Sequence, residues 1–498
     1  MNKVIPAHAT VAIVGGGPGG AMAATLLARE GVDVTLFERE TFPRYQIGES
    51  LLTSAIPLLK FVELYERVEA HGFVRKHGGY FTLRSGGPPG HIDFRKVSVH
   101  QHSYQVIRSE FDHLLLRYAG ECGAAVHEAT SVVEVEFDGE RPTALVVAGE
   151  AGRARVTFDH LIDASGRGGL VATRYWRNRR IQPAFENVAV GSYWRGHAPY
   201  RAPDGTPQGG DFFMEALADG TGWVWAIPLH DGTLSVGAVT HRRDHQRLRE
   251  RHKTAEGIYA ACLARAPQVT AMLAGAERTA EVRTWNDFSY LADQFARPGA
   301  RLVGDAAAFI DPLFSTGVHM AFLGALSAAA TVAAELRGEV DPEVAARFHD
   351  RCVRKAYVRY AVIVAGMYKQ IREQDATVLY GVDGADFRRA FDLVLPALTG
   401  SLDLGEQLPE EVYRRTVNFT IDMMNERAQL GSESPLARRF LAEAGVHEDL
   451  AAEASNAIDG RYIRMERGAL GLATLGAEAD EIARRAAAIR DRLLAAAR

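Results

Sequence analysis

The sequence predicts an α/β protein: a doubly wound parallel sheet, an inserted β-rich region and a helical C-terminal region. Three observations carry that prediction. A glycine-rich turn joins a β-branched run to a helix near the start. Alternating apolar patterns fill Thr130 to Ile162 and roughly Val188 to Val239. Beyond Pro312 the pattern is mostly helical, ending in an Ala/Arg/Glu-rich stretch from Glu478 to Ala497.

Val11-Ala12-Ile13-Val14 has the composition of a buried parallel strand. Ala21 to Arg29 reads as a helix with Gly31 at its C-terminal cap, and Val32 to Phe37 as a second strand closing on Glu38. This is the opening unit of a Rossmann-type sheet. Ser85 to Gly90 is too rich in breakers for regular structure. Ser109, with Asp112 three residues on, is expected to cap a helix through Leu114-Leu115-Leu116. Asp138-Gly139 marks a hairpin turn.

The 498 residues are 47% hydrophobic and 24% charged, too many for one simple core. The expected division is a cofactor domain over 1–185, including strands near 80–107, a β-rich substrate domain over 186–285, a return segment over 286–335 and a helical region over 336–498. A net charge of -5 makes nucleic acid an unexpected partner. The glycines interrupting the first apolar run exclude a signal peptide, and the alanine-rich run Ala321 to Ala334 reads as a packed helix rather than a membrane span. Cys122, Cys262 and Cys352 lie far apart, with no metal-ligand or redox spacing. No metal and no membrane contact are expected, and the setting is cytoplasmic.

Gly15, Gly17 and Gly20 fit G-x-G-x-x-G between strand and helix. The first permits the turn, the second admits a pyrophosphate to the backbone, and the third lets helix and strand pack closely. With Gly16 and Gly19 they open a helix whose free N–H groups favour phosphate, while Glu38 is placed for the ribose hydroxyls. Leu302-Val303-Gly304-Asp305 is a strand ending in Gly-Asp, and Asp163-Ala164-Ser165-Gly166 another strand end. Arg108 lies in Gln105-Val106-Ile107-Arg108-Ser109. Together these resemble the FAD-dependent aromatic hydroxylase superfamily, in which the aspartate binds the ribityl chain and the arginine lies beside the flavin. The resemblance implies FAD, held also by Glu49 and Val318. Only one complete dinucleotide fingerprint is visible, so reduced flavin is expected from a separate reductase.

Pro43-Arg44-Tyr45-Gln46-Ile47-Gly48-Glu49-Ser50-Leu51-Leu52 and Trp223-Val224-Trp225-Ala226-Ile227-Pro228 sharpen the resemblance to flavin-dependent halogenases of the phenol and pyrrole type. Thr53 departs from the proline common there. Residues two apart on a strand share a face, so both indoles project together. In the family this wall, with Ile227 and Pro228, keeps substrate from the flavin. Lys76 matches the active-site lysine and Thr316-Gly317 the halide loop, where glycine lets successive N–H groups form an anion nest. Arg75 is expected at the surface and His319 as a structural histidine.

The resemblance, from Val11 to about Glu335, implies a halogenase using O2, chloride or bromide and reduced FAD. A flavin hydroperoxide oxidises halide to hypohalous acid, which Lys76 delivers as a protonated donor or as a chloramine. The expected substrate is an electron-rich aromatic ring, a phenol first and a pyrrole second, free or bound to an acyl carrier protein. The cluster Arg174, Arg177, Arg179 and Arg180 could meet an acidic carrier, or be a run of solvated arginines. Two alternatives stand beside this: a flavin-dependent aromatic monooxygenase, and an FAD-binding protein without turnover. Tyr357, Tyr360, Tyr368 and Tyr380 are expected mainly as packing residues.

Overall fold

The glycine-rich turn does join a strand to a helix in the computed structural model, which describes residues 4–85, 87, 89–98, 100–150, 152–373, 399–400, 403 and 457–474. Strand His8–Val14 leads through the turn into helix Pro18–Arg29 and strand Val34–Phe37. These strands sit in an eight-stranded sheet whose parallel core runs Ala300–Leu302, Gly152–Asp163, His8–Val14, Val34–Phe37, Ala125–His127. The hairpin predicted at Asp138-Gly139 joins Ser131–Asp138 to Arg141–Gly149 and extends this sheet.

A second, nine-stranded sheet is largely antiparallel. At its centre lie Arg179–Arg195, Thr233–His241, Gly222–Pro228 and Phe212–Ala216, and Gly78–Thr82 joins the last of these in parallel. Helices Arg242–His252, Ala255–Leu263 and Pro267–Met272 follow strand Thr233–His241, within the stretch expected to be β-rich. The first reads Arg-Arg-Asp-His-Gln-Arg-Leu-Arg-Glu-Arg-His and buries only Leu248, so it carries almost no apolar periodicity to betray it.

Helix Thr316–Leu336 is long and apolar enough to cross a membrane, yet 94% of its most apolar window is buried inside the protein. It packs between helix Pro18–Arg29 and helix Pro342–Glu373, as a core helix should. Two local expectations need correction. Ser109 does not cap its helix: Arg108–Glu121 begins one residue earlier, with Ile107 at the cap and no side-chain hydrogen bond there. The region beyond Pro312 also contains a hairpin, Arg461–Arg464 with Gly471–Thr474. The helix expected from Glu478 to Ala497 lies outside the described residues, as does Tyr380.

Candidate active site

A cavity of about 650 Å³ runs between the two sheets. It is lined by Gly15, Gly17, Gly19, Glu38, Arg44, Glu49, Arg108, Asp305 and Val318, and also by Phe212, Trp223, Trp225, Ile227, Thr316 and Gly317. Sequence positions from 15 to 318 thus converge on one space.

The dinucleotide end has the shape its glycines demand. Gly15 has φ +101°, and a Cβ there would lie 2.3 Å from the Ala164 carbonyl oxygen; a Cβ on Gly20 would lie 1.9 Å from the Gly15 oxygen. Only bare backbone fits such a crossing. Helix Pro18–Arg29 starts without a side-chain cap, leaving its first N–H groups for an anion. The Glu38 carboxylate is fixed by backbone N–H groups, at 2.6 Å from Gly16 and 2.9 Å from Glu40. Each oxygen keeps acceptor capacity for a ribose hydroxyl. An adenine dinucleotide fits this cradle.

Arg108 is buried and forked onto Asp112 at 2.8 and 2.9 Å, with the Ile47 carbonyl accepting a third bond at 2.8 Å. Arg44 shares Asp112 at 2.9 Å, which leads both cations to the cavity wall. Asp163 faces inward instead, accepting the N–H groups of Ser165 and Val171, while its neighbours Ala164, Ser165 and Gly166 line the cavity. Asp305 sits in the short 3-10 turn Gly304–Ala306, so the long helix starts eleven residues later rather than directly at Gly-Asp.

The strand parity expected of the tryptophans holds. Trp223 and Trp225 both line the cavity, with ring centroids 6.0 Å apart. Trp225 donates to the Ser235 hydroxyl at 3.2 Å and lies over Gly237, where a Cβ would come 2.1 Å from its ring. Gly237→Ala should therefore tilt the indole out of place. We expect a loss of about 1–3 kcal/mol by denaturant titration, with altered near-ultraviolet circular dichroism.

Thr316 and Gly317 are the first two residues of their helix. Ser315 before them is left-handed, φ +59°, with no capping hydrogen bond. A left-handed residue followed by right-handed ones turns successive N–H groups to one side, the arrangement of an anion nest. Asp311 anchors this loop: one oxygen accepts the Leu313 N–H at 2.9 Å and the other accepts Asn187 at 2.7 Å and the Tyr368 hydroxyl at 2.9 Å. The indole N–H of Trp223 in turn donates to Tyr368 at 2.9 Å. The tryptophan wall and the loop are thereby one hydrogen-bonded unit. Tyr368, expected mainly to pack, packs and also joins these two parts. Tyr357 and Tyr360 are fully buried packing residues.

Lys76 is buried, 1% exposed, and does not itself line the cavity. Its Nζ donates to the Leu51 carbonyl at 2.9 Å and lies 4.7 Å from the ring centre of Phe212, which does line it. Burial among apolar rings lowers its pKa to about 7, against the weaker pull of Asp211. The folded value lies below the unfolded one, so the unfolded chain binds the extra proton between about pH 7 and the ordinary lysine value, and stability rises with pH across that window. Lys76→Met should stabilise most below pH 7, with the gain shrinking as pH rises; denaturation at pH 6 and 9.5 measures this.

A second chain of groups escaped the sequence. Tyr193 donates to the buried Glu49 carboxylate at 2.6 Å, and its oxygen lies 3.2 Å from that of Tyr45, which is partly exposed. Burial raises the Glu49 pKa despite these bonds. Arg75 is exposed and pairs with Glu69, and His319 is buried between the Ser54 hydroxyl at 2.8 Å and Asp403 at 2.9 Å, a satisfied structural histidine. The arginine cluster is mostly exposed, at Arg174, Arg177 and Arg180, with Arg179 turned inward. Arg179 turns inward to the carbonyls of Arg167, Asp305 and Ala306 and the face of Tyr290, Arg180 pairs with Asp293, and Arg174 borders the cavity.

Residues 8–358 match the FAD binding domain family. Flavin-dependent halogenase armH1 of Armillaria mellea is 41% identical, covering 84% of this chain and 83% of its own length. Sulochrin halogenase gedL of Aspergillus terreus is 39% identical over 88% of this chain and 82% of its own. Among solved structures, the myxobacterial chondrochloren halogenase CndH superposes with a TM-score of 0.68 at 30% identity, covering 83% of this chain and 97% of that one.

Proposed function

The chain belongs to the flavin-dependent halogenases, oxidoreductases that use FAD, halide and O2, and we propose that it halogenates a phenol that is free rather than carrier-bound. The observation carrying this reading is that one cavity is lined together by the dinucleotide cradle, the paired indoles and the helix start at Thr316 and Gly317. Bound reduced FAD, replenished by a separate reductase, supplies with O2 the oxidising power that converts halide to hypohalous acid.

The protein's own residues do the rest. Residues 1–185 and 286–335 hold the cofactor, through Gly15, Gly16, Gly17, Gly19, Gly20, Glu38, Glu49, Arg108, Asp305 and Val318, while 186–285, with the described residues of the 336–498 region, enclose the substrate. Thr316 and Gly317 bind halide through backbone N–H groups. Trp223, Trp225, Ile227 and Pro228 hold the ring away from the flavin end. Lys76, as ammonium, donates one N–H to the Leu51 carbonyl and has two left for the oxygen of hypohalous acid once that acid has passed Phe212, which stands between the lysine and the cavity. The carbon–halogen bond forms as the halogen–oxygen bond breaks, and the ring proton leaves in water. Electrophilic attack needs an electron-rich carbon, which a phenol supplies on ionisation, and the aromatic wall suits a flat ring. Arg179 is turned inward and Arg180 is paired with Asp293, which takes two of the four arginines away from an acidic carrier and favours a free substrate. Three free cysteines suit a reducing cytoplasm.

The test is a mass-spectrometric assay with FAD, a generic flavin reductase, NADH, chloride or bromide, and a panel of phenols and pyrroles. Halide-dependent products from free phenols support the reading. Turnover of pyrroles alone, or only of carrier-bound acyl groups, overturns the substrate assignment.

A further inference from the structure

Away from the cavity, three side chains from distant segments meet at the surface between the two sheets. His71 is the last residue of helix Tyr65–His71, Glu110 lies in the first turn of helix Arg108–Glu121, and His230 follows the tryptophan strand Gly222–Pro228. One Glu110 oxygen lies 2.7 Å from His71 Nε2 and 3.1 Å from His230 Nε2, and the three atoms all fall within 4.8 Å of one another. Phe73 fixes both imidazoles, stacked on His71 with centroids 4.3 Å apart and edge-on to His230 at 5.2 Å. Among the described residues no lysine or arginine pairs with Glu110, and His230 Nδ1 is buried with no hydrogen-bond partner, leaving Nε2 as its accessible nitrogen.

We propose that His71, Glu110 and His230 form a zinc site that clamps the tryptophan strand to the helix bearing Arg108. Two imidazole nitrogens and a carboxylate are a zinc donor set, with water completing the tetrahedron at this partly open surface. Ligand atoms on tetrahedral zinc lie about 3.3 Å apart, so both nitrogen–oxygen separations need to change by only tenths of an ångström. Bound there, the metal would supply a positive charge opposite the Glu110 carboxylate.

The clamp reaches the cavity. Glu110 is two residues from Arg108 and His230 three from Ile227, and both Arg108 and Ile227 line it. Zinc would fix the end of the tryptophan strand against the start of the flavin-side helix, steadying the groups that separate substrate from cofactor. The proposal stands on these contacts alone and does not depend on the phenol assignment.

The experiment uses the full chain without a polyhistidine tag, stripped with chelator and titrated with zinc alone by calorimetry and thermal unfolding. We expect one zinc per chain and an unfolding temperature raised by a few degrees. Glu110→Gln, His71→Ala and His230→Ala should each weaken binding by about tenfold or more and remove the thermal shift. Zinc should also protect His71 and His230 of the unaltered chain from diethyl pyrocarbonate, read by peptide mass, which avoids any folding defect in the variants. Absence of zinc binding, equal binding by all three variants, or unprotected histidines overturns the site. Binding without a thermal shift overturns the clamp.

Discussion

Lys76→Ala should abolish halogenation, lowering the rate by about 10²–10⁴-fold, while FAD binding and oxidation of reduced flavin continue unchanged. The separation follows from position. Lys76 lies behind Phe212, and its partners are the Leu51 carbonyl and the rings of Phe94 and Phe212, none of them part of the dinucleotide cradle. Truncation removes the group proposed to grip hypohalous acid but leaves the cradle intact. Lys76→Arg should fail to rescue, because the guanidinium is planar and keeps its charge in a site that lowers the lysine pKa to about 7. Product mass spectrometry beside oxygen uptake measures both halves, and halogenation surviving in Lys76→Ala would remove the lysine from the mechanism.

Gly317→Asp should raise the halide KM by roughly tenfold or more without lowering the unfolding temperature. A Cβ at Gly317 meets nothing within 4 Å, and Gly317 has no left-handed φ that a side chain would strain. A carboxylate in the first helical turn is favourable to the helix dipole. The same charge at the mouth of the anion nest repels halide, so stability and halide affinity should move apart. Kinetics against chloride and bromide concentration, alongside a thermal melt, check this; an unchanged halide KM would mean that chloride binds elsewhere.

What the sequence made legible was local. The glycine crossing of Gly15 and Gly20, the shared face of Trp223 and Trp225 and the hairpin at Gly139 each follow from neighbours a few residues apart. Lys76 was a different matter: only family resemblance pointed to it, because its burial by Phe94 and Phe212 brings together a strand, a short helix and a strand from separate parts of the chain. The connections within the Trp223–Tyr368–Asp311 unit and the Glu49–Tyr193–Tyr45 chain have no sequence signal, since their partners lie 57 to 148 residues apart. Charged surface helices such as Arg242–His252 hide for the opposite reason, having too few apolar residues to show a period. The cap expected at Ser109 failed because the chain enters that helix at Ile107, fixed by a backbone bond to Phe111 rather than by a side chain.

The central claim is that this cavity directs the oxidising power of flavin and O2 into halide rather than into the ring. The direct measurement is turnover under ¹⁸O2 with bromide present, a separate reductase and a phenol substrate, read by mass spectrometry. The account predicts a product carrying the bromine isotope doublet and no ¹⁸O. A product that gains ¹⁸O and forms equally well without halide would contradict it and make the protein a hydroxylase.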